Sequence, residues 1–151
     1  MTYSELNISM IKHKIISCGV VITNGTQILI CHPTGHTQTT WDLPKGRQDP
    51  GEETIATAVR ELGEETGIHI TEDQVVLIGE YEYKHTKTLV LYKHTVDVMP
   101  DITTLHCPSE FEFNGVMIKE MDDYAVVNIE QALSMVNPDL ERILRSIFKA
   151  E

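Results

Sequence analysis

Three glutamates, Glu61, Glu64 and Glu65, stand at spacings i, i+3 and i+4, with Arg60 immediately before them. On a helix that advances about 100° per residue, these carboxylates share one face within an arc of about 100°. Their mutual repulsion costs roughly 0.2–0.5 kcal/mol per pair, and Gly63 between them costs about 1 kcal/mol against alanine. A hard divalent cation reverses that repulsion, since Mg²⁺ takes oxygen ligands and pairs carboxylates with phosphate oxygens. A solvated acidic face shows the same pattern, and Arg60 suits a surface ion pair equally well.

The elements around this cluster predict how it is positioned. Residues 54–66 carry Ile55, Val59 and Leu62 at helical spacing with Ala58 beside them, and Gly67 follows as a stop. Residues 15–23 are rich in β-branched side chains and are followed by Asn24-Gly25 and then residues 27–31, which predicts two paired strands. Further strands are expected at 75–83, 88–98 and 124–127, and residues 32–37 read as a loop leading to Trp41-Asp42-Leu43-Pro44-Lys45-Gly46. Near the end, Asn137-Pro138 opens a helix whose stripe is Leu140, Ile143, Leu144, Ile147 and Phe148. This mixture predicts an α/β fold with a mixed sheet covered by helices, and the 151 residues suit one domain, 1–151.

Composition restricts the partners. The 12 Lys+Arg against 23 Asp+Glu give a formal charge of −11, which argues against holding duplex nucleic acid on a basic surface. An anionic ligand then needs local help, such as a bound cation. Cys18, Cys31 and Cys107 are too widely spaced for a zinc knuckle and odd in number for a disulfide framework. No apolar run is long enough to span a bilayer, and Met1–Leu6 lacks a signal-peptide pattern, so a cytoplasmic protein with no membrane partner is expected.

The glutamates belong to a longer pattern: Gly46, Glu52, and then Arg60-Glu61-Leu62-Gly63-Glu64-Glu65-Thr66-Gly67-Ile68. Every specified position of G-x5-E-x7-R-E-U-x-E-E-x-G-U is present, with U aliphatic, a match expected by chance at fewer than roughly one in 10⁸ starting points. The run resembles the Nudix box. The resemblance implies an α/β/α sandwich and a pyrophosphohydrolase that cleaves a nucleoside diphosphate linked to another moiety, with Mg²⁺ as cofactor and Mn²⁺ able to replace it. It further implies Glu61, Glu64 and Glu65 as metal ligands, with Glu61 a ligand or base, a backbone carbonyl of Lys45 or Gly46 as another ligand, and Glu52 orienting Arg60. Some family members carry the general base on a later loop, where this chain offers Glu110, Glu112 and Glu120; Glu112 is the one assigned here.

For the substrate, Trp41-Asp42-Leu43-Pro44-Lys45-Gly46 followed by Pro50-Gly51-Glu52 resembles the form found in dinucleoside polyphosphate hydrolases. Those enzymes tend to carry a tyrosine near the place of Tyr83, and the proline that marks ADP-ribose hydrolases there is absent. A small-molecule nucleotide is therefore the expected partner: a diadenosine polyphosphate or, as a close relative, the 5′-triphosphate end of RNA. Tyr83 would stack on a base while Lys84, His85, Lys87 and Lys45 touch phosphates, although Tyr83 and Tyr81 equally suit ordinary strand positions. Oxidised nucleoside triphosphates, ADP-ribose, and a non-catalytic nucleotide-binding regulatory role are the alternatives. His32 and His36 read as surface histidines, and Trp41 as a core or rim residue.

Overall fold

The computed structural model describes residues 15–149, so the reading of Met1–Leu6 lies outside the described residues. Its centre is strand β1, Ile15–Thr23, which is apolar along nearly its whole length because both its faces are covered. Strand β5, Lys87–Thr95, runs parallel to it in register Ile15↔Lys87 through Thr23↔Thr95, and β4, Val76–Tyr83, closes that edge antiparallel to β5. On the other side, β2, Gln27–Pro33, pairs along its length with β8, Met121–Asn128. The short strand β3, Lys45–Arg47, adds to the beginning of β1 through Ser17↔Arg47, Cys18↔Gly46 and Gly19↔Lys45.

The hairpin signal at Asn24-Gly25 resolves differently from the expected pairing. Strands β1 and β2 pair only at the turn, through Thr23↔Ile28 among the described residues. The turn spans three residues because Asn24 Oδ1 accepts from the N–H groups of Thr26 and Gln27, at 3.1 and 2.8 Å. The strands then diverge, and that gap admits β3.

Helices cover both faces. Helix α1, Thr54–Thr66, places Ala58 and Leu62 on Cys18, Val20, Ile22, Val90 and Tyr92. It ends at Gly67, whose φ of 77° permits the left-handed cap in which its N–H donates to Gly63 O. After α2, Ile129–Leu133, helix α3, Pro138–Ile147, sets Leu140, Ile143 and Leu144 against Val21, Leu89 and Leu91 on the opposite face. Asn137 caps α3 as expected, its side chain accepting from Leu140 N–H. The expected α/β/α sandwich is thus observed.

Strands β6, Glu110–Phe113, and β7, Val116–Lys119, form a separate two-stranded sheet that the pattern reading did not anticipate. Asn114 and Gly115 turn it with φ of 51° and 80°, the two positive values of a type I′ hairpin. Among the described residues, no helix is long and apolar enough to cross a membrane. The three cysteines are buried and unpaired.

Candidate active site

The pairing of β3 with β1 lays Lys45 and Gly46 over α1. Lys45 N–H donates to Glu65 Oε1 at 3.0 Å, and Gly46 lies so close to the Glu61 carboxylate that a Cβ at this position would land on it. Glu61 and Glu65 are consequently buried, at 8% and 3% exposure, whereas Glu64 is half-buried. Burial, reinforced by the Glu64 charge, pushes the Glu61 carboxyl up to about 7. Burial also raises Glu65 to about 9, against the opposing Lys45 N–H bond.

Arg60 joins these carboxylates to the segment that precedes the helix. Its Nε and Nη2 donate to the two oxygens of Glu52 at 2.8 and 2.9 Å, a bidentate pair. Nη1 donates to Glu61 Oε1 at 3.0 Å and to both Glu64 oxygens at 3.1 Å. The bonds from Arg60 and then Thr57 hold the Glu52 carboxyl down at about 2.

Whether these residues suit a divalent cation is a question of donor chemistry and arrangement. The donors are hard carboxylate oxygens whose burial and like charge disfavour ionisation, a strain that a cation relieves. Among the described residues, however, no three His, Cys, Asp or Glu side chains converge as a metal cage. The Arg60 guanidinium lies between Glu61 and Glu64, and Glu65 turns to Lys45 N–H. The donor set fits Mg²⁺ in type, with Arg60 having to yield at least part of its hold on Glu61 and Glu64.

Beside this helix face opens a cavity of about 380 Å³. Two acidic residues, Glu65 and Glu120, and two lysines, Lys45 and Lys84, are among the residues that line it. Asp42 holds Lys45 through a 3.0 Å ion pair. Burial opposes the Lys45 charge, but Asp42 outweighs it and the ammonium is firmly protonated. Lys87 is half-buried, and its pKa is lowered first by burial and then by the nearby charges of Lys45, Lys84 and Arg47. Four cations of this acidic chain, Lys45, Arg47, Lys84 and Lys87, are therefore close enough to act on one another.

The expected site residues divide between the cavity and its surroundings, and Tyr83 is among those that line it. Tyr83 is 1% exposed and packed in the core with Leu89 and Leu140; its hydroxyl accepts from Asn137 Nδ2 at 2.8 Å. The Lys45 and Lys84 ammonium groups flank its ring at 5.4 and 5.2 Å. With the side chain 1% exposed, little of the ring expected to stack on a base is open to the cavity. Glu112 is exposed on β6 and does not line the cavity, because strand alternation turns Phe111 that way instead. Glu120 lines it, accepting from Ser109 Oγ at 2.9 Å. His85 is exposed in the turn before β5, outside the cavity lining.

His36 is exposed and lines the cavity, but His32 is 2% exposed rather than a surface residue. Its ring meets Trp41 edge-on at 5.2 Å. Asp42, Phe111 and Asn137 were not singled out as cavity residues. For Phe111, the alternation Glu110-Phe111-Glu112-Phe113 before Asn114-Gly115 was the available signal.

Sandwich and box together define a pyrophosphohydrolase of the Nudix class, and comparison with known proteins agrees. The NUDIX domain model matches residues 13–147. An Enterobacteria phage T4 protein, described as "Uncharacterized 17.7 kDa protein in e-segB intergenic region", is 32% identical over 148 residues, covering 91% of this chain and 98% of that protein. The MutT protein of Methanosarcina mazei Go1 has a TM-score of 0.65 at 20% identity, covering 88% of this chain and 91% of the other. A C. elegans Ap4A hydrolase binary complex gives 0.57 at 23%, covering 87% and 93%. The chain belongs to the Nudix family.

Proposed function

We propose that this Nudix pyrophosphohydrolase uses Mg²⁺ to cleave a diphosphate bond in a nucleoside polyphosphate, with a diadenosine polyphosphate as the leading substrate. The observation that carries the reading is the cavity lined both by the acidic residues Glu65 and Glu120 and by the lysines Lys45 and Lys84. Carboxylates suit a cation that engages phosphate at the scissile bond, and ammonium groups suit the remaining phosphate charge. The Trp41-to-Glu52 sequence form supports the substrate choice.

In this reading Glu61, Glu64 and Glu65 hold the metal together with a backbone carbonyl of Lys45 or Gly46. When bound, Mg²⁺ supplies Lewis acidity at water and at the phosphoryl oxygens, and Mn²⁺ can substitute. Arg60, braced by Glu52, sets the orientation of Glu61 and Glu64. Glu120 replaces Glu112 as the later-loop carboxylate suited to accept a proton from the attacking water, since it lines the cavity. Lys45, Lys84 and Lys87 neutralise the phosphates beyond the scissile bond.

The test is a panel of diadenosine tetraphosphate, ADP-ribose, an oxidised deoxynucleoside triphosphate and RNA with a 5′-triphosphate, assayed with Mg²⁺ beside Glu64→Gln and Glu65→Gln. Diadenosine tetraphosphate should be turned over, and each variant should lose at least about 100-fold in kcat, the scale of removing one charge-stabilising group. Absence of turnover, or full rate in both variants, overturns the catalytic assignment. Preference for another member of the panel overturns the substrate alone.

A further inference from the structure

Among the described residues the β6–β7 hairpin pairs with no other strand, yet it is tied at its root to α1. Ser109 N–H donates to Glu64 O at 3.1 Å, and Glu120 N–H donates back to Ser109 O at 3.1 Å. Its register places Phe111 opposite Ile118 and Phe113 opposite Val116, so these four side chains form one face. The other face carries the Glu110–Lys119 ion pair, with Glu112 opposite Met117. A hairpin required only to be soluble gains nothing from exposing an apolar face. Here Phe113 is 58% exposed and Val116 60%.

That face is continuous with the candidate active site, because Phe111 lines the cavity shared by Glu65, Glu120 and Lys45. Phe113 follows two residues along the strand, roughly 7 Å farther along. The sequence therefore runs from carboxylates and ammonium groups that suit phosphates, to one aromatic ring at the rim, to a second beyond it. The platform has aromatic surface and no polar side chain, which suits a flat ring bound by its π-face without reading its edge.

We propose that the Phe111–Phe113–Val116 face of the hairpin binds the second planar ring of the substrate, the aromatic base on the far side of the polyphosphate. The inference rests on the function proposed above and deepens it, selecting substrates with an aromatic group at both ends. Phe113 is a specificity-determining residue, and the hairpin rejects no particular base.

The experiment compares kcat/KM for diadenosine tetraphosphate and ADP-ribose, whose distal group has no aromatic ring, in the wild type, Phe113→Ser and Phe113→Trp. Equilibrium binding of diadenosine tetraphosphate and ADP is measured alongside. Phe113→Ser should lower the dinucleotide to ADP-ribose ratio about tenfold, mainly through KM, and Phe113→Trp should retain it. An unchanged ratio in Phe113→Ser overturns the inference while leaving hydrolysis intact, as does a change in sedimentation behaviour alone, which marks the face as a contact between copies. If the wild type cleaves neither compound, the function reading fails; the hairpin inference then stands or falls on whether the dinucleotide outbinds ADP and loses that advantage in Phe113→Ser.

Discussion

Gly46 lies directly against the carboxylate of Glu61, with no space between β3 and α1 for a methyl group. The obstructing atoms are the tip of a flexible side chain, so Gly46→Ala displaces the carboxylate more readily than it disrupts the strand. The expected outcome is a folded protein whose midpoint of thermal unfolding falls by only a few degrees but whose kcat falls at least about 100-fold, the scale of removing one charge-stabilising group. Calorimetry paired with Mg²⁺-dependent turnover checks it. Retained kcat would show that the placement of Glu61 is not tightly required.

The Glu52–Arg60 pair makes a prediction about pH. Glu52 has a carboxyl held at about 2 by Arg60 and Thr57, against roughly 4.3 in an unfolded chain. Its folded-state pKa is depressed, so its stabilisation is complete above about pH 5 and fades as pH falls toward 2. Glu52→Gln should cost about 1–2 kcal/mol at pH 7 by urea unfolding, the scale of a charged hydrogen bond. The difference from the wild type should shrink steadily in acid; a constant difference from pH 7 to 3 contradicts the assigned pair.

How far the sequence carried depended on the range of the forces involved. The helical spacing of residues 54–66 and the stripe of α3 are local, and both appear in the structure as helices of the expected kind. Strand β3 was not legible, because three residues have no period of their own and pair only because β1 and β2 diverge after Thr23↔Ile28. Tyr83 could be placed on a strand, but its burial depends on α3 arriving with Asn137. Glu112 and Glu120 are equally acidic in sequence, and only the facing of β6 separates them.

Tyr83 also braces α3 through Asn137, and that contribution can be measured apart from binding. Tyr83→Phe removes the oxygen that accepts from Asn137 Nδ2 while leaving the helix cap to Leu140 N–H intact, and should cost about 1 kcal/mol. Asn137→Ala removes both bonds and should cost about 2 kcal/mol. Chemical denaturation reads both. A dinucleotide KM raised tenfold by Tyr83→Phe, with stability unchanged, would restore the direct ligand role.

His32 extends the same logic to a buried charge. Its Nδ1 lies 2.6 Å from Asp122 Oδ1 and its Nε2 lies 2.8 Å from Thr37 O. A carbonyl oxygen can only accept, and an ionised carboxylate likewise, so the doubly protonated imidazolium is the form that satisfies both contacts. Burial works against that charge, but the Thr37 carbonyl and Asp122 outweigh it and raise the pKa above the ordinary 6.5. The folded-state pKa is thus raised, so the stabilisation is complete below about pH 6.5 and is lost as pH climbs through the folded value. NMR of the imidazole should give a midpoint above 6.5 that falls in Asp122→Asn. The stability advantage of the wild type over Asp122→Asn should be largest near pH 6 and decline in mild alkali. A midpoint below 6.5, or an advantage that grows with pH, would show that His32 is neutral in the fold and that the Asp122 contact does not hold a charged ring.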